Sequence, residues 1–190
     1  MDAIALLIGD HNQVRGLFKR FKAAEEADEK STMQEVATKI FEALDVHTTI
    51  EEEIFYPAIR PASDEINDVV AEGVEEHGVV KTLIAEVKAG DPGSEQWVAK
   101  IKVLIENVEH HADEEEKDMF PPLRSALGEE KLVQLAEKME ARKAELGAPT
   151  SADTKDLTKE RLTELAQKQE IPGRSTMSHE ELALAVDPRG

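Results

Sequence analysis

Cysteine is absent from all 190 residues. That excludes disulfides, thiolate zinc sites, iron–sulfur clusters and cysteine nucleophiles. Aromatic residues are scarce, at 4 %. Ala, Glu, Lys, Leu and Val dominate instead, a mix that favours helices over sheets. No apolar run is long enough to span a membrane. No basic region precedes the first apolar residues of Met1–Asp10, so no secretory signal is expected and a cytoplasmic location is. A Ser/His/Asp triad, a phosphate-binding glycine loop and a nucleotide fingerprint are all missing. Positive charge is also short: 23 Lys and Arg stand against 41 Asp and Glu, a net charge of −18. Such a surface repels phosphates and disfavours nucleic-acid binding by the whole chain.

What the chain does have is a repeated pattern. His47-Thr-Thr-Ile-Glu51 is followed by Pro57, and His111-Ala-Asp-Glu-Glu115 by Pro121. Both read His-x3-Glu-x5-Pro. Each half has a further histidine upstream, His11 and His77, placed 66 residues apart, while His47 and His111 are 64 apart. The chain therefore reads as two similar halves, each supplying two histidines and one glutamate.

Apolar residues recur at helical spacing up to about residue 146. The periodicity predicts a first helix from Asp2 to Ala27. A second is capped by Ser31 or Thr32 and ended or kinked near Pro57 and Pro61. A third is capped by Ser63. After the turn Gly90-Asp-Pro-Gly93, a fourth runs until Pro121-Pro122 breaks it. Short connections between long amphipathic helices imply an all-α, up-down-up-down four-helix bundle over 1–146, with an extra helix from Glu129 to Leu146. Residues 147–155 read as a linker. A small helical tail over 156–190 follows, with a capping box at Ser178 and Glu181. Two short helices bury little apolar area alone, so the tail is expected to be marginal or to dock elsewhere.

Residues four apart share a helix face. His47 with Glu51, and His111 with Glu115, are so spaced and in phase with their apolar stripes, as are His11 and His77. Six polar side chains thus point into a core. A buried ionised carboxylate needs compensation, or its pKa rises until it is neutral. Metal cations compensate both charge and lone pairs. Four imidazoles and two carboxylates suit a pair of transition metals, with Glu51 and Glu115 as bridges and the histidines terminal. Iron is favoured, while zinc, manganese and copper suit such ligands too. The acids Glu52, Glu53, Glu114 and Glu116 read as solvated helix faces. His110 falls off the stripe, towards the surface or behind the site. Tyr56 lies out of phase with Glu51 unless the helix distorts before Pro57, and reads as a core or hydrogen-bonding residue.

These residues resemble the hemerythrin-like, or HHE cation-binding, domain. The likeness covers about residues 1–145 and includes Glu51-Glu-Glu-Ile-Phe-Tyr-Pro57 and Glu115-Glu-Lys-Asp-Met-Phe-Pro121. It implies a four-helix bundle holding two iron ions with an oxo or hydroxo bridge. Oxygen-carrying members have His-x3-His on the third helix and an aspartate in the last motif. Here Gly73 stands four before His77, and the last carboxylate is Glu115. The departure points away from simple O2 transport and towards binding of, or reaction with, O2, peroxide or NO. Iron sequestration or sensing without turnover is the alternative, as is a metal-stabilised interaction protein. Leu157-Thr-Lys-Glu-Arg-Leu-Thr-Glu-Leu-Ala166 with Ile171-Pro-Gly-Arg174 resembles the small N-terminal module of transcription termination factor Rho, similar to SAP modules. That likeness implies partner docking or, less readily for so balanced a charge, nucleic-acid contact. A monomer and a homodimer fit the acidic bundle equally.

Overall fold

The computed structural model describes residues 1–189. Among these the chain is helical throughout, without a strand. Helix α1, Ala3–Glu26, starts where Asp2 accepts the Ala5 N–H at 2.8 Å. A turn through Asp28, with φ 54°, leads into α2, Lys30–Ile50. The expected cap at Ser31 or Thr32 is displaced. The turn is tight enough for the helix to begin at Lys30, and the Thr32 hydroxyl donates back to Glu29 at 2.9 Å.

Pro57 and Pro61 fall where the second helix changes its turn and ends, as expected, whereas Pro121-Pro122 acts differently from expectation. A π-helical turn, Glu51–Phe55, follows α2, and the chain continues into α3, Tyr56–Ile59, and a 3-10 turn, Arg60–Ala62. The second repeat does the same. Helix α5, Glu95–Glu114, passes into a π turn, Glu115–Met119, and then into α6, Phe120–Leu127. Pro121-Pro122 therefore does not break the helix. The Tyr56 N–H bonds to the Glu51 carbonyl and the Phe120 N–H to the Glu115 carbonyl, five residues back in each case. Each π turn thus gives way to a helical segment whose first residue, Tyr56 or Phe120, is followed at once by a proline, so the proline sits in a first turn, where its missing N–H leaves no bond unmade.

Helix α4, Asp64–Lys88, opens on the expected Ser63 cap. The four long helices α1, α2, α4 and α5 enclose two apolar clusters. One, at the Trp97 end, contains Phe18, Phe21, Ile40 and Leu104. The other contains Leu7, Ile50, Phe55, Phe120 and Leu123, and is closed by Leu132, Leu135, Ala136 and Met139 of α7, Glu129–Glu145.

Within the stretch read as a linker lies a short helix, α8, Ser151–Thr154. It is capped by Thr150 and Asp153 and fastened to Glu140 through Ser151. Helices α9, Lys159–Lys168, and α10, His179–Ala185, share a small core of Leu162, Leu165, Ile171 and Leu182. They lie against α1. A Cβ on Gly9 would meet the Leu184 Cβ at 2.7 Å, and one on Gly16 the Gln169 carbonyl oxygen at 2.5 Å. Only glycine lets the tail backbone come so near.

Gly16→Ala should therefore destabilise the protein by about 1–3 kcal/mol, because a backbone carbonyl must move. Gly78→Ala, with nothing within 4 Å of the new methyl, should stabilise α4 by about 0.5–1 kcal/mol. Urea unfolding of the two variants checks the difference in sign.

Candidate metal centre

Between the two apolar clusters the six in-phase residues come together, all buried, with Glu51 0 % and Glu115 1 % exposed. They form two histidine pairs. His11 Nε2 lies 3.2 Å from His47 Nε2, and His77 Nε2 lies 3.1 Å from His111 Nε2. Both carboxylates span the pairs. Glu51 Oε2 is 3.2 Å from His47 and 3.3 Å from His77, while Glu115 Oε2 is 3.3 Å from His11 and 3.8 Å from His111. Proximity is not satisfaction, however. Both Glu51 oxygens and Glu115 Oε2 lack a hydrogen-bond partner.

The outward faces of the rings explain why. His11 Nδ1 meets Glu116 Oε1 at 2.8 Å, His77 Nδ1 meets Glu52 Oε1 at 2.9 Å, and His111 Nδ1 meets Glu76 Oε2 at 2.6 Å. A carboxylate only accepts, so the proton belongs on Nδ1 and the Nε2 lone pair points inward. His47 is looser: its Nδ1 stands 3.7 Å from Asp10 Oδ2. The centre is thus lined by acceptors facing acceptors. Glu52 and Glu116, read from sequence as solvated faces, are instead the groups that orient two of the histidines. Glu53 and Glu114 stay outside, paired with Arg142 and His110. The His110 side chain is 65 % exposed.

Three of the outer acids are themselves neutralised. Glu116 accepts from Arg15 at 2.7 Å, Glu52 from Lys81 at 2.7 Å, and Asp10 from the buried Lys143 at 2.6 Å. Asp10 and Lys143 left no signal in the histidine spacing, and Lys143 comes from α7.

Tyr56 is brought in by the π turn. Its hydroxyl donates to Glu115 Oε1 at 2.9 Å and stands 3.4 Å from His111 Nε2, and its ring stacks on His77. Phe120 holds the corresponding place in the other half, stacked on His11. A Cβ on Gly73 would lie 3.1 Å from the Tyr56 hydroxyl and 3.2 Å from His111 Cε1. Tyr56 therefore fills the space that a larger residue at 73 would need.

The electrostatics are those of a crowded, dry cluster. Burial, then the charge of Glu115, pushes the Glu51 carboxyl well above the usual carboxylate range. Burial acts on Glu115 too, but the approach of His11 and the neighbouring imidazoles outweigh it and hold it low. Burial would also lower His11, yet Glu115 and Glu116 raise it to about 9. Burial and the charge of His111 drop His77 to about 4. Burial and the two glutamates keep the Tyr56 phenol well above its ordinary value.

The chain matches the hemerythrin HHE cation binding domain over residues 2–123. It belongs to that family. The chain is similar to an uncharacterised protein of Mycobacterium tuberculosis, 30 % identical over 152 residues, covering 78 % of this chain and 90 % of that protein. It is also similar to a DNA nickase of Nostoc sp., 28 % identical over 137 residues, covering 72 % of this chain but only 38 % of that protein's length. An uncharacterised hemerythrin-like protein of Schizosaccharomyces pombe is 24 % identical over 135 residues, covering 70 % of this chain and 65 % of that one. No solved structure matches. Among the described residues, no helix is long and apolar enough to cross a membrane.

Lys143→Met would leave Asp10 a buried, uncompensated charge. It should cost about 3–5 kcal/mol in denaturant unfolding. Arg142→Met, one residue earlier and paired at the surface with Glu53, should cost about 0–1 kcal/mol.

Proposed function

We propose that His11, His47, Glu51, His77, His111 and Glu115 hold two iron ions, and that the protein binds or reacts with O2, peroxide or NO there. The observation that carries this reading is the inward convergence of imidazole lone pairs and unpaired carboxylate oxygens, with the Tyr56 hydroxyl the donor among them. A set of acceptors packed this tightly in a core fits cations and little else. Mixed N/O ligands in a helical bundle suit iron. Bound iron would supply redox chemistry and coordination for a small ligand.

The chain's own residues do the rest. Glu52, Glu76 and Glu116 fix the imidazole orientation and raise ligand basicity. Tyr56, beside His111 and Glu115, is a seventh donor in the site: it can ligate when a cation lowers its phenol pKa, or hand a proton to a bound guest. Gly73 makes that possible by leaving its hydroxyl room.

A second reading, iron sequestration or sensing, draws on the tail. Helix α1 carries His11 on one side and packs against α10 on another, so metal occupancy and tail docking share one element. The tail's own apolar face is buried within it and against α1. A partner reached through the tail, protein or nucleic acid, is the third reading.

Anaerobic loading with ferrous iron should give two irons per chain by elemental analysis, a visible-range absorption after air, and a further spectral change with peroxide. A colourless zinc protein, or no uptake, would overturn the reading. Faster peroxide loss than with free iron favours reaction over storage. Tyr56→Phe should keep both irons while changing the visible absorption, and an unchanged spectrum removes Tyr56 from the donor set. Metal removal should lower stability by roughly 4 kcal/mol at a thousandfold excess of metal over its dissociation constant, read as a drop in melting temperature.

A further inference from the structure

Two cavities meet beside the site. The inner one, about 20 Å³, touches all four histidines, His11, His47, His77 and His111. Its other walls are mostly apolar: Val14, Phe18, Val108 and Ala112. Glu51, Glu115 and Tyr56 do not line it, so it lies on the histidine side of the centre, away from the phenol. That volume holds one guest of about water's size, since roughly 10–15 Å³ of such space admits one water.

The outer cavity, about 230 Å³, is an open groove between α2 and α4. Phe41, Ile84 and Ala85 form its floor, and Asp45, Lys81 and Lys88 its wet rim. Leu44, Thr48 and Val80 line both cavities. These three buried side chains are the wall between solvent and the histidines. The Thr48 hydroxyl faces its own helix, at 3.4 Å from the Asp45 carbonyl. The throat therefore presents no free donor to an anion.

We propose that small neutral molecules of the O2 and NO class reach the centre between α2 and α4, through a throat formed by Leu44, Thr48 and Val80, and that this throat selects against anions. The passage belongs to the protein alone. What the guest meets at its end rests on the di-iron reading.

The selectivity follows from solvation. An anion crossing the throat sheds water and finds no compensating donor, which is costly, whereas an apolar diatomic loses almost nothing. The opposite side of the inner cavity is latched. Arg15 lines it there and is tied to Glu116 at 2.7 Å and Asp113 at 3.0 Å. On the α2–α4 side the contacts that span the two helices, Lys81 with Glu52 and Lys88 over the Phe41 ring, lie at the rim and involve none of Leu44, Thr48 and Val80.

The test has one arm without metal and one with it. In metal-free full-length protein under O2 pressure, nuclear relaxation of the Val14 methyls should be enhanced well beyond that of Ile40 and Ile101, which are also buried, and that of the half-buried Val108 methyls well beyond that of the half-buried Val98. Val80→Phe should remove the excess and Val80→Ala increase it. In iron-loaded protein, Val80→Phe should slow NO association by about tenfold at unchanged iron content, and azide should associate more slowly than NO in the parent. Should Val80→Phe fail to fold, Val80→Ala decides alone, by faster NO association and stronger O2 relaxation. Relaxation at Val14 no greater than at Ile40, and at Val108 no greater than at Val98, overturns the proposal. So does NO association indifferent to Val80 but accelerated by Arg15→Ala, which would put the route past Arg15. A protein that takes up no iron defeats the di-iron reading only, and the metal-free arm still decides the passage.

Discussion

Two carboxylates, Glu51 and Glu115, lie at the centre of a helical bundle with almost no exposure. Keeping negative charge there costs several kcal/mol per group unless something offsets it, and the surroundings are arranged around that cost. Four imidazoles face the carboxylates, and each imidazole has an acid behind it. Arg15, Lys81 and Lys143 in turn stand behind three of those acids. The fourth acid, Glu76, is partly exposed and leans on solvent instead. Charge thus alternates from the centre outwards. At its outer edge the alternation ends at cations or water, while at the middle three carboxylate oxygens are left over. A divalent or trivalent ion is the natural end of such a sequence.

The same demand shapes the backbone. An α-helix running unbroken from His47 would carry Tyr56 round to another face and would meet Pro57 in its interior. The π turn adds a residue to one turn, so the position five after Glu51 returns to the Glu51 face. Tyr56 and Phe120 are those positions, and each stacks on a histidine of the centre. The His-x3-Glu-x5-Pro repeat is therefore two constraints in one motif. The first spacing sets two ligands on one face. The second sets where the helix must loosen, and which ring is brought in when it does.

The six inward residues and the four long helices were legible because both obey one period, and a polar residue in phase with an apolar stripe stands out against it. The outer acids were not. Glu52 and Glu116 follow Glu51 and Glu115 directly, and on a chain with 41 acidic residues an acid that orients a histidine looks like one that only faces water. Tyr56 was hidden because its phase depends on the π turn, which straight helical counting does not contain. The fate of Pro121-Pro122 has the same cause: a proline rule written for an α-helix interior does not hold in the first turn of the segment that follows a π turn. Asp10 sits beside His11 and points to a different histidine, a relation visible only once α1 and α2 are packed.

The two halves are alike in ligands and unlike around them. In the second half the place four before the upstream histidine is Gly73, and the aromatic from the other repeat that reaches it is Tyr56. In the first half the corresponding residues are Leu7 and Phe120, both in one apolar cluster. One histidine pair is thus flanked by a phenol and the other by hydrocarbon. His47, of the hydrocarbon-flanked pair, is also the least firmly held ring, with an unpartnered Nδ1 and an acid whose nearest bond is to Lys143 of α7. Since α7 lies beyond residues 2–123, which match the family's domain, one end of the metal-binding frame is tied to an element outside that domain. Two ions placed there would feel different fields: one beside a phenol that can ligate or give a proton, the other tuned through Asp10 and Lys143. That inequivalence makes the two histidine pairs chemically distinct positions for any cation held between them.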